Sequence, residues 1–93
     1  VIRSFADKRA QAIFGESVPK GVSRQVATAT LKKLLLIHAA YALDDLRSPP
    51  GNRLEALKGN RSGQYSIRVN DQWRVCFRWH NGDAYDVELV DYH

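Results

Sequence analysis

Asp91-Tyr92-His93 closes a stretch of strand-like sequence that also carries Arg68, Arg74 and Arg78. Histidine moves protons near neutral pH, and tyrosine stacks on a base or donates a hydrogen bond. Arginine grips phosphate with a two-pronged fork. A proton-transfer group, a stacking ring and phosphate clamps form the inventory of a metal-free ribonuclease. Lys58 and Arg61, in a flexible basic segment, are either further phosphate contacts or solvated surface.

The other candidates have plainer readings. His38 lies on an apolar helix stripe and reads as a packed residue; His80 adjoins a turn and reads as surface. No two histidines have metal-ligand spacing, and the lone Cys76 cannot build a thiolate site, so neither a metal nor a cofactor is expected. Cys76 reads as a small, semi-buried strand residue rather than a nucleophile. Asp86 and Glu88 share a strand face, where pairing with Arg78 explains them better than catalysis. Pro49-Pro50-Gly51-Asn52 lacks the glycine and lysine pattern of a P-loop and reads as a turn.

The elements that would position these groups follow from periodicity. Ile2 to Phe5 reads as a short strand. Asp7 is a plausible N-cap for a helix that presents Ala10, Ile13 and Phe14 on one face and ends at Gly15. Glu16 to Val22 is a loop. Ser23 can cap a long helix with the stripe Val26, Ala27, Leu31, Leu34, Leu35, His38, Ala42 and Leu46, with Lys32 and Lys33 on its wet side. Ser48-Pro49-Pro50-Gly51 must end it, because proline supplies no backbone donor.

Beyond that break the period becomes two. Leu54 to Leu57 is a brief strand, followed by the turn-rich Lys58–Gly63. Tyr65, Ile67 and Val69 alternate with polar residues, as do Trp73, Val75, Phe77 and Trp79, then Tyr85, Val87 and Leu89. The fold class is α+β, with residues 1–93 as one domain. An antiparallel meander sheet carries an N-terminal strand, and two helices pack on one of its faces.

Register adds a chemical point. A three-residue loop at Asn70-Asp71-Gln72 sets Arg68 directly opposite Arg74. Facing like charges cost up to about 1 kcal/mol, so an unrelieved arginine pair makes sense where an anion binds between them. After Asn81-Gly82, a three-residue loop or a bulge pairs Arg78 with Asp86 and Cys76 with Glu88.

Composition bounds the setting. The 93 residues carry a net charge of +4, with 44% hydrophobic residues, as expected of a folded domain and not a disordered tail. Residues 47–82 hold seven basic residues against Glu55 and Asp71, whereas 83–93 hold four acidic residues and no Lys or Arg. A basic middle before an acidic final strand suggests a polyanion partner with local internal pairing. One cysteine fits a reducing compartment. No apolar run reaches the length of a membrane span and no signal peptide is evident, so the expected location is cytoplasmic. With no methionine in the chain, Val1 is expected to be a processed, trimmed or alternatively initiated start.

Arg47–Leu57, Gly63–Asn70, Gln72-Trp73-Arg74 and Val90-Asp91-Tyr92-His93 together resemble HigB-type toxins, the plasmid maintenance killer proteins of the RelE/ParE superfamily. Ile2–Phe5 fits as well, and Leu46 to Phe77 resembles the GraT branch. The resemblance implies a toxin that enters the ribosomal A site and cuts translated mRNA. It also implies a HigA-like helix-turn-helix antitoxin, with operator DNA contacted only through the toxin–antitoxin complex. The family's functional residues fall on Lys58, Arg68, Arg74, Asp91, Tyr92 and His93. The ParE branch poisons gyrase on the same fold without the nuclease site, and the retained Asp91-Tyr92-His93 favours the nuclease. A non-catalytic inhibitor of a protein such as gyrase and a basic RNA-binding module are the rival readings.

Overall fold

The computed structural model describes residues 1–92; His93 lies outside the described residues. Helix α1 (Lys8–Phe14) starts where Asp7 Oδ1 accepts the backbone N–H groups of Arg9 and Ala10. Helix α2 (Arg24–Ala39) is capped by Ser23, whose hydroxyl accepts the N–H of Val26. These caps satisfy donors that a helix's first turn leaves unpaired. The sheet runs in chain order as β1 (Glu55–Ala56), β2 (Gln64–Arg68), β3 (Trp73–His80) and β4 (Asp83–Asp91), antiparallel throughout.

One sheet face packs against both helices. Ala10 and Ile13 of α1 and Ala27, Leu34 and Ile37 of α2 meet Ile67, Val75, Phe77, Ala84, Val87 and Leu89 in the core. No described helix is long and apolar enough to cross a membrane.

Three sequence-based expectations change. Helix α2 stops at Ala39 and not near Leu46; Leu46 is still buried, but on a separate 3-10 turn (Leu43–Arg47). The Asp45 carboxylate accepts the N–H groups of Tyr41 and Ala42, giving the backbone an alternative to the helix ladder. Leu35, 50% exposed, also falls off the inner stripe, which is Ala27, Thr30, Leu34 and Ile37.

Second, Ile2 to Phe5 forms isolated parallel bridges to Ala84 and Val87 instead of a continuous strand. A bulge in β4 lies between those two contacts. Third, that bulge resets the face of β4. The turn at Asn81-Gly82 has two residues with φ of +49° and +81°, the mirror-image geometry that matches strand twist. The ladder then slips between Cys76↔Glu88 and Arg78↔Tyr85, with Asp86 at φ +53°. Ala84, Val87 and Leu89 therefore face the core, and Tyr85 does not share their buried face.

Candidate functional site

The sheet face turned away from the helices collects the polar partners of each strand. Ser66 and Arg68 come from β2, Arg74, Cys76 and Arg78 from β3, and Glu88 from β4. The register has Arg68 opposite Arg74 and Cys76 opposite Glu88, as loop length predicts, but the bulge sets Arg78 opposite Tyr85 and not the expected Asp86. The expectation of an unrelieved arginine pair is corrected. The three-residue turn brings Asp71 beside Arg68, and the two side chains form an ion pair.

Arg74 is 8% exposed and mostly occupied by the protein. Its Nε donates to Ser66 Oγ at 2.8 Å, and its Nη2 donates to the carbonyls of Arg53 (2.6 Å) and Ser66 (3.3 Å). Nη1 faces the Glu55 carboxylate at 3.7 Å. The irregular chain after Pro50 lays Arg53 and Glu55 across this guanidinium. A planar fork suits that task, since it satisfies several acceptors at once.

Arg61 ends a 3-10 turn (Gly59–Arg61) and reaches over β2. Its Nη1 donates to Gln64 Oε1 at 3.1 Å and to Glu88 Oε1 at 2.5 Å. That bond raises the Arg61 pKa further above its ordinary value. The shared pairing of Asp86 and Glu88 with Arg78 is thus half right: Asp86 pairs with Arg78 at 3.5 Å, while Glu88 pairs with Arg61. Lys58 precedes the same turn, exposed; its carbonyl accepts the Arg61 N–H, and its side chain has no ion pair or hydrogen bond among the described residues.

Beside Arg61 lie Cys76 and Tyr92. The Tyr92 hydroxyl is 4.0 Å from Cys76 Sγ, and the Tyr92 N–H donates to the Gln72 carbonyl. Burial pushes both pKa values up: the thiol above its ordinary 9.0 and the phenol above its ordinary 10.0. At neutral pH both groups keep their protons, so Tyr92 can donate a hydrogen bond. Its side chain also remains 37% exposed, which leaves ring surface for a ligand. Asp91 Oδ2 accepts from Gln72 Nε2 at 3.2 Å, so the β2–β3 turn holds the end of β4. His93, the expected proton-transfer residue, lies outside the described residues.

His38 is the packed residue that its stripe suggests: Nδ1 accepts the Ile2 N–H at 3.1 Å, and its ring lies against Phe14. His80 is exposed. Among the described residues, no three His, Cys, Asp or Glu side chains gather as metal ligands.

Three contributors escape the sequence reading. Arg53 and Glu55 touch Arg74 from backbone with no period to read. Lys33, assigned to the wet side of α2, is half-buried and donates to Asn52 Oδ1 at 2.6 Å. Asn52 is fully buried and donates in turn to the carbonyls of Leu46 and Ser48. Burial, then the charges of Arg68 and Lys32, lower the Lys33 pKa. Its position, three residues after Thr30 and four before Ile37, was the available signal.

Comparison with known proteins agrees with this architecture. The family described as "RelE-like toxin of type II toxin-antitoxin system HigB" matches residues 3–93. Toxin HigB-1 of Vibrio cholerae is 46% identical over 68 residues, covering 73% of this chain and 72% of that protein. Endoribonuclease HigB of Proteus vulgaris is 36% identical over 93 residues, covering all of both chains. Among solved structures, a YafQ mutant from E. coli superposes with a TM-score of 0.61 at 12% identity, covering 98% of this chain and 91% of that one. The YoeB dimer from Staphylococcus aureus gives 0.58 at 18% identity, covering 99% and 94%. The two structures share the fold, and the sequence matches carry the relationship: the chain belongs to the HigB-like family of RelE-like toxins from type II toxin–antitoxin systems.

Proposed function

We propose that this chain is an endoribonuclease that cuts mRNA on the ribosome, through attack of the strand's own 2′-hydroxyl on the adjacent phosphate. The observation that carries the reading is the helix-free sheet face, where Arg61, Arg68, Arg74 and the part-exposed Tyr92 lie together. The end-to-end similarity to a protein named Endoribonuclease HigB supports it.

In the reaction the 2′-oxygen bonds to phosphorus as the P–O5′ bond breaks. A base takes the 2′-hydroxyl proton, an acid protonates the leaving 5′-oxygen, and cations stabilise the charge on the pentacoordinate phosphorus. The products are a 2′,3′-cyclic phosphate and a 5′-hydroxyl. His93 is assigned to proton transfer. Tyr92, protonated at neutral pH, stacks on or orients a nucleotide. Asp91 orients His93 or an RNA group. Arg68, Arg61 and Lys58 meet phosphate, and Arg74 supplies positive charge from the floor while fixing the loop above it. No bound metal or cofactor is needed in this scheme. The ribosome's part is to hold the strand in line for attack, which a few cations and one histidine do poorly alone.

Type II toxins are held in check by a protein antitoxin. For this chain we assign a helix-turn-helix, HigA-like partner, with operator DNA reached only through the complex, and a cytoplasmic site of action. Mapping RNA 5′ ends in cells expressing the wild type and His93→Ala tests the reading. New 5′-hydroxyl ends inside translated frames are expected for the wild type alone. Growth inhibition without new ends would overturn it and favour a protein target such as gyrase.

A further inference from the structure

The arginines gathered at the helix-free sheet face each have a carboxylate within the protein. Arg61 pairs with Glu88, Arg68 with Asp71, Arg74 with Glu55 and Arg78 with Asp86. These eight charges cancel. A face suited to a polyanion is thus neutralised by the protein's own anions, and a phosphate that meets one of these guanidiniums must compete with a carboxylate.

The four pairs are not alike. The side chains of Asp71, Glu55 and Asp86 are 99%, 57% and 56% exposed, so water screens them and their hold on arginine is weak. Glu88 is only 25% exposed. It stands on β4 opposite Cys76, on a strand and not on a turn, and its Oε1 lies 2.5 Å from Arg61 Nη1. Gln64 Oε1 accepts from the same nitrogen at 3.1 Å. One prong of the Arg61 fork is therefore occupied twice, and the guanidinium carried in by the Gly59–Arg61 turn is drawn down onto the face.

Fixing that turn does not require the charge. A neutral side chain of the same length would accept the Arg61 hydrogen bond without repelling RNA. A carboxylate binds the guanidinium more strongly and sets a negative charge where the strand must lie. We infer that Glu88 is an internal stand-in for phosphate: it keeps Arg61 closed against the sheet, and an RNA strand opens the clamp only by displacing it. The inference rests on the nuclease reading of this face and assigns that site its regulation. A strand met in solution gains little by replacing one anion with another. A strand held in place by the ribosome arrives at high effective concentration and wins the exchange. Glu88 is thus a positioning residue that sets the preference for presented mRNA over loose RNA.

The test uses the purified full chain and a labelled 2′-O-methyl oligonucleotide of about 12 residues, which has no 2′-hydroxyl to attack, titrated at several salt concentrations. Glu88→Gln should bind it about fivefold more tightly than wild type. Its plot of log affinity against log salt should steepen by about 0.7 unit, as one added phosphate contact requires. Asp44→Asn makes the same charge change at an exposed carboxylate away from the sheet face and should stay within about twofold of wild type. Arg61→Gln/Glu88→Gln should also fall back to within about twofold, because the gain needs the released guanidinium. On naked mRNA, Glu88→Gln should cut about fivefold faster, with a smaller change on ribosome-bound mRNA. Glu88→Asn, shorter and also neutral, carries the same expectation if Glu88→Gln fails to fold. Unchanged or weaker binding by the neutral variant would overturn the inference, as would an equal gain in Asp44→Asn. So would a gain that survives loss of Arg61, which would reduce Glu88 to simple repulsion. The oligonucleotide is bound without being cut, so failure of the nuclease reading in the RNA-end assay is a separate outcome.

Discussion

Arg74→Ala separates a phosphate clamp from a structural brace. Two acceptors lose their main side-chain donor: Ser66 Oγ, in a fully buried residue, and the Arg53 carbonyl. Each buried polar group left unpaired costs about 1–3 kcal/mol. Water can reach the Arg53 side, because Arg53 and Glu55 are exposed, so we expect a total of about 2–4 kcal/mol. At about 4–8 °C per kcal/mol for a domain of this size, the melting midpoint should fall by roughly 10–30 °C. Arg78→Ala removes only an ion pair whose side chains are about half exposed, worth at most about 1 kcal/mol. Denaturant and thermal unfolding of both variants, followed by circular dichroism, give the comparison. Arg74→Lys should recover less than about half the loss, because an ammonium cannot reproduce the fork. An Arg74→Ala protein within about 1 kcal/mol of wild type would refute the bracing role and leave the guanidinium free for phosphate. The same energetics reverse what register alone suggests: deleting Arg68 and Arg74 together should destabilise the fold, not relieve it.

Three further outcomes follow from particular side chains. Cys76 and Tyr92 bind their protons more tightly when folded, so their contribution is fully present below about pH 9 and is lost as pH rises through 9–10 and beyond; unfolding midpoints should drop over that range and drop less steeply in Cys76→Ala, and equal slopes would count against the burial argument. Thr30 Oγ1 is buried without a hydrogen-bond partner among the described residues, so Thr30→Val should stabilise by up to about 1 kcal/mol in urea unfolding; a clear loss would show that the hydroxyl is satisfied. In a double-mutant cycle, Arg61→Ala and Glu88→Ala should couple by about 0.5–1.5 kcal/mol, and additivity would mean that the 2.5 Å contact carries no net energy.

Much of the fold can be read from period-two alternation, because side chains on a strand have only two faces to choose between. The alternation of Tyr65-Ile67 and Val75-Phe77 fixes which face of β2 and β3 meets the helices. The length of the Asn70-Asp71-Gln72 turn then fixes Arg68 opposite Arg74. What alternation cannot reveal is a side chain or a bulge that competes with the regular backbone ladder. The Asp45 carboxylate ends the α2 pattern early, and the Asp86 bulge takes Tyr85 off the buried face of Val87. The site divides along the same line. Its face and its arginines are legible, but the partner of each guanidinium is not. Arg53, Glu55 and Arg61 reach their contacts from turns and irregular chain, where spacing in sequence says nothing about distance.

The closure of the chain's beginning onto β4 has a consequence for the order of folding. Strands β2, β3 and β4 are joined by turns of a few residues, so their pairing needs little loop closure. The opening segment is different: Ile2 and Phe5 bridge to Ala84 and Val87, and Asp7 Oδ2 accepts the Leu89 N–H. These contacts join residues about 80 apart in sequence, and no native partner exists for them until β4 has been made. A nascent chain therefore carries the first strand-like segment and the sheet-facing side of α1 uncovered through most of its synthesis. The same strand brings Glu88 and Asp91 to the site and is followed directly by Tyr92. Closure of this part of the core and assembly of the proposed site therefore both wait on β4. Refolding followed by pulsed hydrogen exchange should protect the amides of Val75 and Cys76 before that of Ala6, which donates to the Val87 carbonyl; simultaneous protection would mean that the ends close in the first step.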